Sequence, residues 1–300
     1  RRSASCSINS ATAAILMHTL FRFFSVLPLG LAHGIGALLG WLAWLLSPTY
    51  RRRFAANSAQ AGYAFDEVSP AIGHAGRMVT ELPRLWLKDT PVNHTHGAEV
   101  VEAAWARGKG IVFLTPHLGC FELSVQGAAA RWSAQHGPIT ILYRPAKQPW
   151  LAQMMLSARN RSGIEAVPTT LSGVRQMIKA LRKGQAVGLL PDQVPPDGQG
   201  QWVPFFGQPA YTMTLAARLA LQTGATVVLA RCERLSWGRG FDLYFEDLPS
   251  PLPAEMDAAV LHLNQAMEHL IRQCPQQYLW GYGRYKQPRQ AAPATPGEGA

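Results

Sequence analysis

A long uncharged apolar run near the start of the chain constrains the fold more than any other feature. It extends over 24 residues from Phe23 to Leu46, and about 20 apolar residues suffice to cross a bilayer. The cluster Arg51–Arg53 follows, and cationic residues mark the cytoplasmic end of a span. The pattern favours a membrane span with a cytoplasmic domain after it, whereas Pro28 leaves open a bent helix that inserts halfway. A buried core helix or an uncleaved signal sequence would also fit an apolar run of this kind.

The two ends of the chain differ from the part between them. Residues 1–16 look unlike the sequence that begins at Met17, and we interpret them as an upstream, disordered segment outside the fold. Residues 287–300 are rich in Pro, Ala and Gly, which predicts a disordered tail. The expected organisation is therefore a membrane-anchoring helix over residues 17–48 and one α/β domain over residues 49–286.

Composition narrows the class of partner. Hydrophobic residues make up 48% of the chain and charged residues only 15%, yet the net charge is +10. A cationic excess on an apolar protein favours anionic partners, such as acidic lipids or an acidic carrier protein. The basic residues lack interleaved aromatic side chains, which argues against nucleic acid. Four scattered cysteines without a CxxC pair argue against a disulfide framework or a cysteine-based zinc site, and they indicate a reducing compartment.

Strand-like and helix-like segments alternate along the rest of the chain. Strands are predicted at Ile111–Thr115, Ile139–Tyr143, Ala186–Leu190, Thr226–Ala230 and Phe241–Phe245. Helices are predicted at Glu67–Lys88, Ala98–Arg107, Glu122–Arg131, Trp150–Arg161, Leu171–Lys183, Thr212–Gln222 and Glu255–Gln273. The alternation predicts an α/β fold with a mixed, largely parallel sheet flanked by helices. Active sites of such sheets lie beyond the carboxyl ends of the strands.

A histidine and a glutamate follow the first predicted strand. His117 and Glu122 are five residues apart, so on one continuous helix they would point about 140° away from each other. They converge only if His117 lies in a turn and Glu122 lies in the first turn of the next helix. A carboxylate against an imidazole raises the basicity of the ring and suits a general base for a hydroxyl group. The alternative is a glutamate that caps the helix beside an incidental histidine.

This pattern resembles the HX4D/E motif of the glycerolipid acyltransferase superfamily, and more narrowly the late acyltransferases of lipid A biosynthesis in Gram-negative bacteria. The resemblance extends over roughly Met17 to Arg289. Its fragments are, in order, Asn57, Glu81-Leu-Pro-Arg-Leu-Trp86, Gly108-Lys-Gly110, Tyr143-Arg144-Pro145, Arg159-x-Arg161, Leu181-Arg-Lys-Gly184, Pro191-Asp192-Gln193, Val203-Pro-Phe-Phe-Gly207, Thr212, Pro275-x-x-Tyr278-x-Trp280 and Arg284-Tyr-Lys286. The chain departs from the HxGNWE pattern of that family at Cys120 and Phe121, which replace Asn and Trp.

The resemblance implies an enzyme that transfers a fatty acyl chain from acyl carrier protein to a hydroxyl of a lipid A precursor of the Kdo2-lipid IVA type. It also implies a bacterial inner-membrane location with the catalytic domain facing the cytoplasm. No metal and no cofactor are expected beside the acyl donor. His117 is expected to take the proton of the acceptor hydroxyl, and Glu122 to orient the imidazolium and balance its charge.

Further residues are candidates for binding substrate or stabilising the oxyanion. They are Arg144, Arg159, Arg161, Asp192 and Gln193. The developing oxyanion requires a donor, and Arg159 and Arg161 are the first candidates, followed by Arg144. Phosphate binding or a solvated helix face is the alternative for these arginines. Asp192 and Gln193 follow a predicted strand, and the resemblance favours a role in positioning the acceptor, whereas the alternative is an aspartate that caps a turn.

Three further functions stay open at this point. An acyltransferase of the same superfamily with another glycerolipid or glycolipid acceptor has the same motifs. A cationic membrane-binding module without catalysis is a second possibility. A lipid or thioester hydrolase that uses Cys120 beside His117 is a third. His94 and His96 have the spacing of metal ligands, but no cluster of carboxylates accompanies them in the sequence.

Overall fold

The computed structural model describes residues 18–143 and 163–290. The strands are β1 His94–His96, β2 Ile111–Leu114, β3 Ile139–Tyr143, β4 Ile164–Pro168, β5 Ala186–Leu189, β6 Gly200–Phe205, β7 Gln208–Met213, β8 Thr226–Arg234 and β9 Phe241–Asp247. The helices are α1 over residues 18–26, α2 Leu29–Leu46, α3 Pro48–Gln60, α4 Phe65–Val68, α5 Pro70–Leu87, α6 Ala98–Ala106, α7 Phe121–His136, α8 Leu171–Arg182, α9 Leu215–Thr223 and α10 Met256–Gln273.

Seven of these strands form one sheet in the order β1-β9-β8-β2-β5-β3-β4, and β6 and β7 form a separate antiparallel hairpin. The strands β8, β2, β5, β3 and β4 are parallel, whereas β9 runs antiparallel to β8 and carries β1 on its outer edge. The fold is therefore α/β with a mixed, mostly parallel sheet, as predicted. Because β2 and β5 are neighbours at the centre, the segments that follow them meet at one edge of the sheet.

Helices cover both faces of this sheet. Helices α6 and α7 pack on one face, over a core that includes Phe113, Leu243 and Phe245. Helices α8, α9 and α10 pack on the other face, over Leu114, Val187 and neighbouring residues. All four residues of β2 are buried, which explains the continuous apolar run that predicted this strand.

A proline divides the N-terminal apolar run into two helices. Helix α1 ends at residue 26, Pro28 lies between the helices, and the uninterrupted apolar helix α2 is 18 residues long. Its length and composition qualify it as a candidate membrane span. The residue before a proline is disfavoured in a helix, so the break at Pro28 follows from the sequence.

Helix α2 lies against α5, and glycines permit the close approach. A Cβ atom on Gly76 would overlap the backbone oxygen of Gly36, and one on Gly40 would overlap that of Ile72. Ala32 and His33 are buried in the same contact. The opposite side of α2 exposes apolar side chains, namely those of Leu31, Leu38, Leu39, Trp41, Leu42, Leu45 and Leu46. This exposed apolar side supports membrane association.

The structure also differs from the predicted elements in places. The helix predicted at Thr212–Gln222 begins only at Leu215, because the residues before it belong to the β6–β7 hairpin. The helix predicted at Glu67–Lys88 divides into α4 and α5 at Ser69. Strands β1, β4, β6 and β7 were not predicted, since they are short or contain proline. The helix predicted at Trp150–Arg161 lies outside the described residues.

Candidate active site

The turn between β2 and α7 carries His117 at the edge of the sheet. Gly119 has a φ angle of +57°, and a side chain there would overlap the carbonyl oxygen of Cys232 in β8. The amide of Gly119 donates to the Gln277 carbonyl at 3.1 Å, and the amide of Cys120 donates to the Cys232 carbonyl at 2.8 Å. These bonds fix the turn against β8 and the C-terminal segment, and they thereby fix His117.

Asp192 holds the imidazole of His117 from the end of the neighbouring strand β5. One carboxylate oxygen of Asp192 lies 2.7 Å from Nδ1 of His117, and the other accepts a hydrogen bond of 3.0 Å from the backbone amide of His117. The aspartate side chain is 2% exposed and the histidine side chain 18% exposed. The carboxylate is therefore buried behind a ring that still reaches an open space.

The surroundings of Asp192 keep it ionised. Burial acts to raise the pKa of Asp192, but the charge of His117 and its side-chain and backbone hydrogen bonds outweigh burial, so the pKa lies below its usual value. Burial raises the pKa of the neighbouring Tyr278 hydroxyl well above its usual value, and the charge of Asp192 adds to this effect. Arg284 contributes favourable charge, while its own guanidinium donates to the Tyr211 carbonyl at 2.8 Å. An ionised Asp192 accepts the Nδ1–H bond and leaves Nε2 of His117 as the basic nitrogen.

Gln193 is placed at the second nitrogen of the ring. Its side-chain amide nitrogen lies 3.2 Å from Nε2 of His117. An amide NH2 only donates, so Nε2 accepts, which agrees with a proton on Nδ1. Asp192 and Gln193, which follow β5, thus contact both ring nitrogens of His117, and both are site candidates on the sequence pattern as well.

The role expected for Glu122, to orient the imidazolium and balance its charge, stays a prediction. Glu122 does lie in the first turn of α7, and it lines the same cavity as His117. The carboxylate at hydrogen-bond distance from Nδ1 is, however, that of Asp192. The physical reason is that β2 and β5 are adjacent in the sheet, so a residue far along the chain reaches the ring.

A second ionic cluster, centred on the buried pair of Arg234 and Glu81, supports the turn from behind. Arg234 of β8 binds both carboxylate oxygens of Glu81 at 2.5 and 2.8 Å, and it donates to the Gly119 carbonyl at 2.9 Å. His33 of α2 lies 3.0 Å from the same carboxylate. His74 of α5 lies 3.0 Å from the guanidinium. The cluster therefore links α2 and α5 to the turn that carries His117.

Burial and charge set the ionisation of this cluster. Burial acts to raise the pKa of Glu81, but the charge and hydrogen bond of Arg234 outweigh it and lower the pKa to about 2. Burial, together with Arg234 and Arg77, lowers the pKa of His74 to about 2. At neutral pH the cluster thus holds an ion pair beside a neutral His74, an arrangement that suits a structural role.

An apolar cavity of about 430 Å³ opens beside His117. His117, Glu122 and Gln193 line its polar part, and Val125, Ile141 and Leu189 are among the residues that line its apolar part. The cavity extends from the carboxyl ends of the central strands into the space between α7 and the sheet. His117 thus lines a space whose volume and apolar wall suit a hydrocarbon chain.

Comparison with known protein families gives a match over residues 65–287, to the bacterial lipid A biosynthesis acyltransferases. The chain belongs to this family. The match covers the sheet, the turn with His117 and the residues around Asp192. The assignment confirms the resemblance drawn from the sequence motifs.

Individual relatives carry related names. The lipid A biosynthesis lauroyltransferase of Escherichia coli is 28% identical over 202 residues, which cover 66% of this chain and 63% of that protein. The palmitoleoyltransferase of the same organism is 25% identical over 191 residues, or 63% of this chain and 60% of that protein. A phosphatidylinositol mannoside acyltransferase of Mycobacterium tuberculosis is 30% identical over 154 residues, or 49% and 46%. The chain thus aligns with less than two thirds of each of these proteins.

Several motifs shared with the lipid A acyltransferase family have structural roles here. The side-chain amide of Asn57 donates to the carbonyls of Trp280 and Tyr282 at 2.6 and 2.7 Å. Sequence reasoning did not assign a role to Glu81 or Tyr278, although both lie in family fragments. Their position in these fragments was the sequence signal that could have pointed to them. Arg144, Arg159 and Arg161 lie outside the described residues.

Two further sequence candidates were a nucleophile at Cys120 and a metal site at His94 and His96. Cys120 is 1% exposed, and burial raises its thiol pKa well above the usual value, which disfavours a nucleophilic role. His94 of β1 pairs with Asp242 at 3.1 Å, and His96 stacks on Tyr244 with ring centroids 4.4 Å apart. Both histidines belong to an exposed edge of the sheet.

Proposed function

We propose that this protein transfers a fatty acyl group from an acyl carrier protein thioester to a hydroxyl of a lipid A precursor. The observation that carries the proposal is the position of His117, whose Nδ1 is bound to a buried carboxylate and whose ring lines an apolar cavity. This arrangement suits a general base acting on a hydroxyl beside a bound acyl chain.

The proposed reaction is a direct transfer. Nε2 of His117 removes the proton of the acceptor hydroxyl while the oxygen attacks the thioester carbonyl. The tetrahedral intermediate collapses with cleavage of the carbon–sulfur bond, and the imidazolium returns the proton to the departing thiolate. Asp192 stabilises the imidazolium between these steps, because its carboxylate is ionised and in contact with Nδ1.

Other residues near the cavity have proposed supporting roles. Gln193 donates to Nε2 at the position that the acceptor hydroxyl would take, so its amide releases Nε2 when the acceptor binds and then hydrogen-bonds the acceptor oxygen. Glu122 remains a catalytic candidate through its place on the cavity wall. We propose Arg159 or Arg161, followed by Arg144, as the cation for the oxyanion and for the acidic groups of the substrates.

The proposed location is the cytoplasmic face of the bacterial inner membrane. Its support is the exposed apolar side of α2 and the cationic Arg51–Arg53 beyond the end of that helix. A reporter fused after Ala300 is expected to report cytoplasm. A periplasmic signal would contradict the orientation and also the use of a carrier-protein donor.

A second candidate acceptor has specific support. The mycobacterial relative named above is a phosphatidylinositol mannoside acyltransferase, and it is 30% identical over the matched region. A glycolipid acceptor other than a lipid A precursor is therefore the alternative within the same chemistry.

The test is a transfer assay with the purified protein. Acyl carrier protein thioester is supplied with a lipid A precursor or with a phosphatidylinositol mannoside, and the products are identified by mass spectrometry. Acylation of the lipid A precursor supports the proposal, and acylation of only the mannoside supports the alternative. Absence of transfer to either acceptor supports a membrane-binding module. An acyl group found on Cys120 would contradict direct transfer.

A further inference from the structure

Gly188 leaves a gap in the wall of the apolar cavity at the centre of the sheet. It is the third residue of β5, which is hydrogen-bonded to β2 on one side and to β3 on the other. Its chain neighbours Val187 and Leu189 are buried, whereas Gly188 is partly exposed. An interior residue of a central strand is exposed in this way because the cavity reaches its backbone.

The backbone at this position does not require glycine. Gly188 lies outside the set of glycines with positive φ, and a Cβ atom there would meet only Cγ2 of Ile141, at 3.2 Å. Glycine inside a strand lowers stability, and it often marks a place where a ligand approaches the backbone closely. Glycine at this position is therefore best explained by the space that it leaves for a ligand in the cavity.

The register of the sheet shows how deep this space lies. Gly188 pairs with Phe113 of β2 and with Ile141 of β3, and both of these large side chains line the cavity. Two pairs further from the strand ends, Ala186 is fully buried beside Ile139, which also lines the cavity. Gly188 is one residue from the end of β5, about 3 Å below it, and the cavity continues past Gly188 to Ile139.

We infer that Gly188 determines the length of acyl chain that the enzyme accepts. This inference rests on the proposed function, because it assigns the cavity to the acyl group of the donor. The distal part of the chain would pass over the bare backbone of Gly188 between Phe113 and Ile141. A side chain at this position would shorten the usable cavity and leave the region around His117 unchanged.

The test compares Gly188→Ala and Gly188→Val with the wild-type protein over a homologous series of saturated acyl carrier protein thioesters. The matched control is Val187→Ile, which adds a similar group on the opposite face of the same strand, away from the cavity. We expect both glycine variants to favour shorter donors. Each methylene that no longer fits should lower kcat/KM for long donors by about fourfold relative to short ones.

A binding measurement separates this inference from the proposed reaction. Free saturated fatty acids of graded length are added, and the shift in Tm is recorded for each protein. The chain length that stabilises best should be shorter for the glycine variants than for wild type and Val187→Ile. If wild type transfers no acyl group but shows this pattern, the proposed reaction is wrong and the assignment of Gly188 holds.

Several results would overturn the inference itself. One is an unchanged length preference in Gly188→Ala, which is the milder variant and the decisive one if Gly188→Val does not fold. Another is an equal shift in Val187→Ile, since that would indicate a general disturbance of the sheet. A wild-type protein that no fatty acid stabilises would also overturn it.

Discussion

Two histidine–carboxylate pairs in this protein have similar distances and different surroundings. His117 and Asp192 are 2.7 Å apart, and His33 and Glu81 are 3.0 Å apart. In the first pair the second ring nitrogen of the histidine lies at a cavity, 3.2 Å from an uncharged amide. In the second pair the carboxylate is bound by Arg234 through two hydrogen bonds, and both side chains are almost fully buried.

The difference indicates what a catalytic pair requires beyond the contact itself. Arg234 already neutralises Glu81 through its two hydrogen bonds, and the enclosed group links α2 and α5 to the turn that carries His117. Asp192 has its closest ionic contact with His117, and the ring can exchange a proton with a molecule in the cavity. Accessibility of Nε2 and an ionised partner therefore separate the candidate catalytic pair from the structural one.

The largest expected effect tests this separation at the cavity. His117→Ala should lower kcat/KM by about 10²- to 10⁴-fold, since the general base is lost. Removal of the ring also leaves the buried Asp192 without its closest ionic partner, so some loss in the free energy of unfolding is expected, and folding is checked before the rates are compared. The control is His94→Ala, whose histidine is also paired with an aspartate but is 69% exposed at the sheet edge. Activity of His117→Ala near that of wild type would contradict the mechanism.

Breaking the buried pair of Arg234 and Glu81 should lower stability rather than remove a catalytic group. Arg234→Met leaves the Glu81 charge buried without its main partner, and loss of one partner of a buried pair costs about 3–5 kcal/mol. Chemical denaturation in detergent should show this decrease in the free energy of unfolding. Adding Glu81→Gln to Arg234→Met should recover part of the loss. A decrease of less than about 1 kcal/mol would show that the cluster does not stabilise the fold.

The contact between α2 and α5 links the buried pair to the apolar helix. Gly76→Ala would place a methyl group against the Gly36 backbone, so we expect a loss of about 1–3 kcal/mol from overpacking. Gly34→Ala adds the same group to α2 where nothing lies within 4 Å. Both changes raise helix propensity alike, so the difference in Tm between the variants reports packing. Equal Tm values would contradict the close contact.

The smallest expected effect concerns pH. Because burial and the nearby Arg234 and Arg77 lower the pKa of His74 to about 2, the unfolded chain binds a proton below about pH 6.5 and the folded protein does not. This contribution to stability is present above that pH and is lost as the pH falls, at up to about 1.4 kcal/mol per pH unit. His74→Gln should flatten the curve of unfolding free energy between about pH 7 and 5. A curve parallel to that of wild type would exclude this role for His74.

Residue type and spacing were enough to predict much of the fold. The five predicted strands all exist, because short apolar runs between turn residues favour strands, and in the central strand β2 every residue is buried. The five-residue spacing of His117 and Glu122 likewise predicted a turn at His117 and a helix that begins near Glu122, and the structure has both. The hairpin of β6 and β7 was not predicted, since its prolines interrupt the usual alternation of apolar and polar residues in a strand.

The candidate site was predicted less completely, for a physical reason. The sequence by itself determined that His117 follows a strand, that Glu122 opens a helix, and that Asp192 and Gln193 follow another strand. Only the tertiary structure decided which carboxylate contacts Nδ1, because this depends on the order of β2 and β5 in the sheet and joins residues 75 positions apart. Likewise, only the tertiary structure shows that the backbone of Gly188 lies open to the cavity between larger side chains of the neighbouring strands. Local patterns record what each segment can form, whereas the packing of segments decides which groups meet.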